Sequence, residues 1–289
     1  MAYTEPMADW DKHFAAHSPI FAPLRALGAA LDCADWPVLD QLNAIARAGA
    51  VVSGGGQPLR FVSLSGQPAP AAADYELRTH DEGVVPVRDA NWHDFFNAAS
   101  WLVFPRTKAA VNRAHVEALR VQSSAVRNVR SRGRDALTLF DESGVLVLSR
   151  SRAVLAGIRD FAWKRVFWDE RDGLPATTRF VMFGHALYEK ALLPYVGMSG
   201  HALLLEVPDN GDTPETSAWV AQADAAAAHV LIERVTQPHD LSPLPVLGVP
   251  GWWDANRAAA FYDNTAYFRA GRREKQSARD HAGRAAAGG

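Results

Sequence analysis

A histidine, an aspartate and an asparagine stand close together in a strongly apolar stretch, NWHDFFNAASWLVFP (91–105). If this stretch is a helix, His93, Asn97 and Ser100 share one face, because residues three and four apart lie above one another. The other faces carry aromatic and aliphatic side chains, and such a helix is normally buried. A buried imidazole or amide without a partner costs about 1–3 kcal/mol. We therefore expect this polar stripe to face hydrogen-bond partners, water or a ligand.

Two interpretations stay open for the charged residues of this helix. Asn91 can cap the helix, which places Asp94 in the first turn, where a carboxylate is stabilised by the helix dipole. Alternatively, Asp94 and His93 act together in a catalytic site. His93 alone is equally compatible with a core histidine whose hydrogen bonds are satisfied.

A second imidazole and carboxylate occur in FGHALYEKALLPY (183–195). On a helix, His185 and Glu189 lie one turn apart on the same face. Such a pair can ligate a metal ion, or the carboxylate can orient the imidazole as a general base. The second histidine of zincin motifs is missing, and a solvated ion pair is the simpler alternative. The apolar neighbours favour a site, and we expect His185 and Glu189 to face the polar stripe.

A third group of charged residues lies in RSRGRDALTLFDESG (130–144). The alternation of ALTLF and VLVLS around DESG predicts a β-hairpin near residues 136–149. Arg134 and Asp135 would precede its first strand. Asp141 and Glu142 would stand at its turn, either as turn formers or as oxygen ligands of a divalent ion.

The segment between residues 106 and 134 is strongly basic. It has eight cations against one anion, Glu117: Arg106, Lys108, Arg113, Arg120, Arg127, Arg130, Arg132 and Arg134. A guanidinium matches a carboxylate or phosphate group, so Arg106 and Arg134 are candidates for binding an anionic substrate, together with Asn97 and Asp135. The alternatives are a solvated helix face and a surface for nucleic acid.

Composition excludes several classes of protein. The net charge is −2, so nothing draws the whole chain toward nucleic acid or anionic membranes. The single cysteine, Cys33, cannot form an internal disulfide. The chain lacks a signal-peptide pattern and any apolar run of transmembrane length, which predicts a cytoplasmic protein without membrane association. Phosphate-loop and dinucleotide-binding glycine patterns are also missing, and composition does not indicate an oligomeric state.

The pattern of elements predicts an α+β fold that is predominantly helical, with a small antiparallel sheet that includes the hairpin. We expect one globular domain over residues 1–270 and a disordered polar tail over 271–289. The predicted helices cover much of 9–49, 91–127 with a break at Pro105, 151–170, 179–196 and 215–235. The predicted strands are 59–64, two short strands within 75–88, and 201–208, and residues 238–254 are predicted as an ordered proline-rich loop.

Four long motifs are similar to those of a known bacterial family. They are NWHDFFNAASWLVFPRTKAAVNRAH, RDALTLFDESG, FGHALYEKALLPYVGMSGHALLL, and PLPVLGVPGWW with FYDNTAYFR. Over residues 20 to 270 the chain resembles the family catalogued as domain of unknown function 3025. The resemblance implies that the four segments belong to one unit, but it implies no activity, cofactor or catalytic residue.

Two functions are consistent with these observations. The first is a hydrolase with an anionic substrate, in which His93, Asp94, His185 and Glu189 converge as catalytic residues. His93, His185 and Glu189 would also be the ligands if the reaction uses a divalent metal ion. The second is a non-catalytic protein that binds nucleic acid or a protein partner through residues 106–134 and an arm with Trp252 and Trp253.

Overall fold

The computed structural model describes residues 9–64, 66–121, 132–208 and 216–271. Ten α-helices are described: α1 Phe14–His17, α2 Leu39–Ala48, α3 Ala72–Glu82, α4 Trp92–Val103, α5 Pro105–Val121, α6 Arg132–Ser143, α7 Arg152–Arg159, α8 Leu174–Thr177, α9 His185–Ala191 and α10 Thr216–Arg234. Six strands are described: β1 Arg60–Ser63, β2 Val84–Val87, β3 Gly144–Ser149, β4 Thr178–Met182, β5 Ser199–Glu206 and β6 Ser242–Pro245.

The central layer is a four-stranded mixed sheet in the order β4-β3-β5-β6. Strand β3 is antiparallel to β4 and parallel to β5, and β5 is antiparallel to β6. All six residues of β3 are buried, which is typical of a strand covered on both faces. A separate parallel pair is formed by β1 and β2.

Side chains of β3 alternate between two hydrophobic clusters because successive residues of a strand point to opposite faces. Val145 and Val147 pack with α4, α9 and the aromatic C-terminal segment. Leu146 and Leu148 pack with α6 and α10 on the other face. The small residues Ala223 and Ala227 let α10 approach the sheet closely, and both are fully buried.

The predicted fold class is confirmed, since the protein is an α+β fold in which helices predominate. The predicted hairpin at 136–149 is wrong. Residues up to Ser143 belong to α6, and β3 begins directly after it. The alternation in ALTLF was misleading, because Ala136, Leu137 and Phe140 form one buried face of a helix. Gly144 permits the abrupt change, since a Cβ there would overlap the Phe140 carbonyl.

Four other element predictions need correction. Residues 75–82, predicted as a strand and a turn, belong to helix α3, and Gly83 caps this helix with a left-handed φ of 68°. The predicted helix 179–196 contains β4 and then the shorter α9. Strand β6 lies in the predicted loop 238–254. Between Pro19 and Ala30 the chain forms 3-10 turns interrupted at Gly28 rather than an α-helix.

The sheets are also not purely antiparallel, as the two parallel strand pairs demonstrate. Strands β1 and β5 and helices α2, α4, α5 and α10 match their predictions apart from their ends. Within the described ranges no helix is long and apolar enough to cross a membrane. The predicted disordered tail lies outside the described residues apart from Gly271, and the single domain stays a prediction.

Candidate active site

A polar cavity of about 280 Å³ lies between α3, α4, α5, α6 and the start of α9. Its walls combine imidazole, carboxylate, guanidinium and amide groups, and its rim includes apolar residues of the segment that follows β1. Residues predicted for the site that line it are His93, Asp94, Asn97, Arg134 and His185. Charged and titratable groups converging in one cavity are typical of a functional site.

His93 is the cavity residue with the clearest acid–base geometry. Its Nδ1 lies 3.0 Å from Oε2 of Glu189, and the ring centroids of His93 and His185 are 4.6 Å apart in an edge-to-face arrangement. A carboxylate at this position can orient the imidazole by accepting from an Nδ1–H group, and the tautomer that carries this hydrogen has its acceptor at Nε2. Glu189 pairs with His93 rather than with His185 on its own helix, as expected for a residue facing the polar stripe.

His185 is buried at the N-terminal end of α9. Burial lowers its pKa to about 3, even though the Asp141 carboxylate acts in the opposite direction. Its Nδ1 lies 3.5 Å from Oδ2 of Asp141. His185 is thus neutral at neutral pH and places no positive charge beside His93.

The other members of the polar stripe also have partners. Asn97 donates to the Tyr75 hydroxyl at 2.9 Å and accepts from Nζ of Lys108 at 2.8 Å. Ser100 donates to the Phe183 carbonyl at 3.1 Å. The stripe therefore ties α4 to its neighbours, and Asn97 positions groups around the cavity.

Asp94 is held in a structural arrangement. Asn91 caps α4 by accepting from the Asp94 amide, as predicted. Both carboxylate oxygens of Asp94 accept from the Arg88 guanidinium, at 2.9 and 2.8 Å, and Oδ2 also accepts from the Arg88 amide. This bidentate pair neutralises the carboxylate, so the geometry favours the structural interpretation of Asp94.

A buried ion pair lies at the cavity wall, which Asp141 lines. Nζ of Lys108 is 2.6 Å from Oδ1 of Asp141, and only 3% of the lysine side chain is exposed. Burial raises the pKa of Asp141, but Lys108, His185 and His115 together lower it below its ordinary value. Asp141 thus stands in the last turn of α6 as a paired carboxylate rather than as a turn former.

Glu76 on α3 lines the cavity and was missed in the sequence, where its segment resembled a strand. Its Oε2 accepts from Nδ2 of Asn112 at 2.7 Å. Burial raises the pKa of Glu76 to about 7, while Asn112 acts in the opposite direction. Helical periodicity in YELRTHDE would have been the signal that assigns Glu76 to a helix, because it places Glu76 beside Tyr75 and Thr79 on α3.

Two predicted substrate-binding residues lie outside the cavity lining. The side chain of Arg106 is exposed at the start of α5, where its amide donates to Asp224. Asp135 is half-buried on α6 and is not part of the cavity wall. Arg134 and Glu142 do line the cavity. Of the two cations predicted to bind the substrate, Arg134 is therefore the one at the cavity.

Most described cations of the basic segment are engaged within the protein. Arg113 donates to the Gly54 carbonyl at 3.0 Å, and Arg120 pairs with Asp81 at 2.7 Å. Trp252 is buried in the core, and Trp253 packs partly against it. The proline-rich segment 238–254, which carries both tryptophans, therefore covers the core. Arg127 and Arg130 of the basic segment lie outside the described residues.

The predicted metal centre lacks geometric support. Within the described ranges, no group of three or more His, Cys, Asp or Glu side chains could hold a metal ion. His93, His185 and Glu189 are close together, but they do not form such a group. A divalent metal ion at these residues stays a prediction.

The family model described as "Protein of unknown function (DUF3025)" matches residues 59–272. The chain belongs to this family. The match includes α3 to α10 and all six strands, and thus every residue of the cavity, but it begins well after residue 20, where the predicted resemblance started. No curated protein and no solved structure matches the chain.

Proposed function

We propose that this DUF3025 protein is a hydrolase that activates water with His93 and acts on a small substrate with an anionic group. The observation that carries the proposal is the 3.0 Å contact between Nδ1 of His93 and Oε2 of Glu189 at the wall of a polar cavity. An oriented imidazole is the commonest general base in proteins, because its proton affinity suits neutral pH.

In the proposed reaction Glu189 accepts the Nδ1 hydrogen and keeps the proton-accepting Nε2 of His93 available. Nε2 removes a proton from water, and the water oxygen attacks the electrophilic atom of the substrate. Glu189 then stabilises the imidazolium that forms. Neutral His185 supports this step, since a second cation beside His93 would oppose its protonation.

Arg134 is the proposed partner of the anionic substrate group. It lines the cavity, and a guanidinium has five N–H donors, so it can bind a ligand in addition to protein groups. A metal ion is not part of this reaction scheme, because the described residues around the cavity do not provide a ligand group of three. The lone Cys33 supports a reducing compartment, and the cytoplasm is the proposed location.

The proposal is tested by screening the purified protein against small carboxylate-bearing esters and phosphate monoesters. We expect His93→Gln to lower the hydrolysis rate by about 100-fold or more, because general bases contribute about 10²–10⁴-fold. Glu189→Gln should produce a smaller loss in the same direction. Equal rates for wild-type protein and His93→Gln, or no hydrolysis of any substrate in the panel, would contradict the proposal.

The chain offers a matched control for these variants. His229 and Glu233 on α10 form another histidine–glutamate pair, with 3.6 Å between their charged atoms, but 73% of the histidine side chain is exposed. His229→Gln and Glu233→Gln should leave hydrolysis within about twofold of wild type, since this exposed pair does not line the cavity.

The alternative of a nucleic-acid or protein-binding function stays a prediction. No contact among the described residues favours it, because Lys108 is buried, Arg113 and Arg120 bond to the protein itself, and Trp252 is in the core. Phosphate binding would produce a steep loss of affinity with added salt, which a filter-binding titration measures.

A further inference from the structure

The proposed reaction requires a proton donor for the leaving group, and His93 cannot supply the first proton because it begins as the base. A departing alkoxide is a poor leaving group unless it is protonated as the bond breaks. Four carboxyl groups line the cavity and are candidates: Glu76, Asp94, Asp141 and Glu142. Their surroundings differ sharply.

Two of these carboxyl groups are in direct contact with a cation. Asp94 is bound bidentately by Arg88, and Asp141 lies 2.6 Å from the buried ammonium of Lys108. A cation in direct contact favours the ionised form of a carboxyl group. Glu142 is exposed to solvent at the end of α6.

Glu76 alone among the four combines partial burial with a neutral partner. Its Oε2 accepts from the amide nitrogen of Asn112 at 2.7 Å. Asn112 is held in this orientation because its Oδ1 accepts from the Gly54 amide at 3.1 Å, and its Nδ2 also donates to the Glu76 carbonyl. The carboxyl group is therefore held through Oε2 at the wall of the cavity.

The charged groups around Glu76 come from two neighbouring helices. Lys108 on α5 and Arg134 on α6 lower its pKa, whereas Asp141 on α6 raises it, and burial has the largest effect. His115 on α5 also lines the cavity. The result is a pKa of about 7, so a large fraction of Glu76 carries a proton at neutral pH.

We propose that Glu76 is a second catalytic residue, the general acid that protonates the leaving oxygen. This inference rests on the proposed hydrolase function. As the water oxygen bonds to the electrophilic atom, the bond to the leaving oxygen breaks, and its electron pair takes the proton of Glu76. The products are an acid, an alcohol, imidazolium at His93 and carboxylate at Glu76, and solvent carries the proton from His93 back to Glu76.

Leaving-group dependence tests this role. Monoethyl succinate and ethyl phosphate need a proton donor, whereas the p-nitrophenyl esters of the same acids release a stable phenolate without one. In whichever series the wild-type protein hydrolyses, Glu76→Gln should lose about 100-fold or more on the ethyl ester and stay within about threefold on the p-nitrophenyl ester. His93→Gln should lose activity on both, which separates the two roles.

The control is Glu82→Gln, which removes an exposed carboxylate from the same helix, and it should leave both rates unchanged. Equal losses of Glu76→Gln on both esters, or no loss on either, would overturn the role of Glu76 while leaving that of His93 intact. No hydrolysis by the wild-type protein would overturn the hydrolase function and the role of Glu76 together.

A second measurement does not depend on activity or on the variant's rate. In wild-type protein labelled with ¹³C at glutamate carboxyl carbons, one resonance should titrate near pH 7 and be missing from the spectrum of Glu76→Gln. Titration of every glutamate below about pH 5, close to the ordinary value, would show that Glu76 is ionised at neutral pH and would overturn the proposal.

Discussion

Two lysine–aspartate pairs in this protein have the same distance between nitrogen and oxygen but very different surroundings. Lys108 and Asp141 stand 2.6 Å apart beside the cavity, with 3% and 16% of their side chains exposed. Lys164 and Asp263 are also 2.6 Å apart, but they lie at the surface beside the C-terminal segment (residues 238–271), with 45% and 61% exposed. Two ion pairs with the same distance can therefore contribute very differently to stability, since the cost of removing charge from water applies only to the first pair.

Polar side chains in the two regions also form hydrogen bonds with different kinds of partner. In the C-terminal segment, Asn256 and Tyr262 donate to main-chain carbonyls, and the Tyr267 hydroxyl donates to the Met198 carbonyl. Around the cavity, side chains bond mainly to other side chains, as in the pairs His93–Glu189 and Asn112–Glu76. Bonds to carbonyls fix the path of a loop, whereas pairs of side chains determine which groups hold protons.

The largest expected effect comes from breaking the buried pair. Lys108→Met leaves Asp141 buried without its cation, which should lower the free energy of unfolding by about 3–5 kcal/mol. Lys164→Met should cost less than about 1 kcal/mol, because its partner stays in water. Urea denaturation measures both values, and similar losses for the two variants would contradict the comparison.

A smaller effect is expected in the C-terminal segment. Asn256 is fully buried, and its Nδ2 donates to the Leu247 and Val249 carbonyls at 2.9 and 2.7 Å. Asn256→Ala leaves both carbonyls without this donor and should cost about 2–4 kcal/mol. The hydrolysis rate of the folded variant should not change, and a selective loss of rate at full stability would show that this region takes part in the reaction.

The smallest effect is the dependence of stability on the protonation of Glu76. Its pKa is raised from 4.5 to about 7 in the folded protein. Its stabilising contribution is therefore complete below about pH 4.5 and is lost as the pH rises to about 7, because the unfolded chain releases the proton first.

The wild-type protein should thus lose about 1–3 kcal/mol more stability than Glu76→Gln between pH 5 and pH 8, since one pKa unit corresponds to about 1.4 kcal/mol. Urea denaturation at both pH values tests this difference. Glu82→Gln should behave as the wild type does, and an identical pH dependence for Glu76→Gln would mean that Glu76 titrates at its ordinary value.

Part of the cavity was predictable from the sequence because it depends on helical periodicity. The polar side chains of His93, Asn97 and Ser100 needed hydrogen-bond partners because the rest of the helix is apolar. Glu189 is the partner of His93. The cap at Asn91 followed from local hydrogen bonding alone. Such features need only the positions of residues along one helix, and these positions are fixed by the chain itself.

Other features could not be predicted, because short apolar alternations fit a strand and one face of a helix equally well. That ambiguity produced the wrong hairpin at 136–149 and the wrong strand over 75–82. Both errors displaced residues of the cavity, since Asp141 was assigned to a turn and Glu76 to a strand. Packing of α3 and α6 against the rest of the protein decided these elements.

The sequence by itself therefore determined the α+β class, the polar stripe of α4 and the need for a partner opposite His93. Only the tertiary structure decided which carboxyl groups are paired with cations and which one is left with a neutral amide. Protonation depends on burial and on charges brought together from distant segments. For that reason Glu76, which shares its cavity with residues of α4, α5, α6 and α9, became recognisable only in the folded protein.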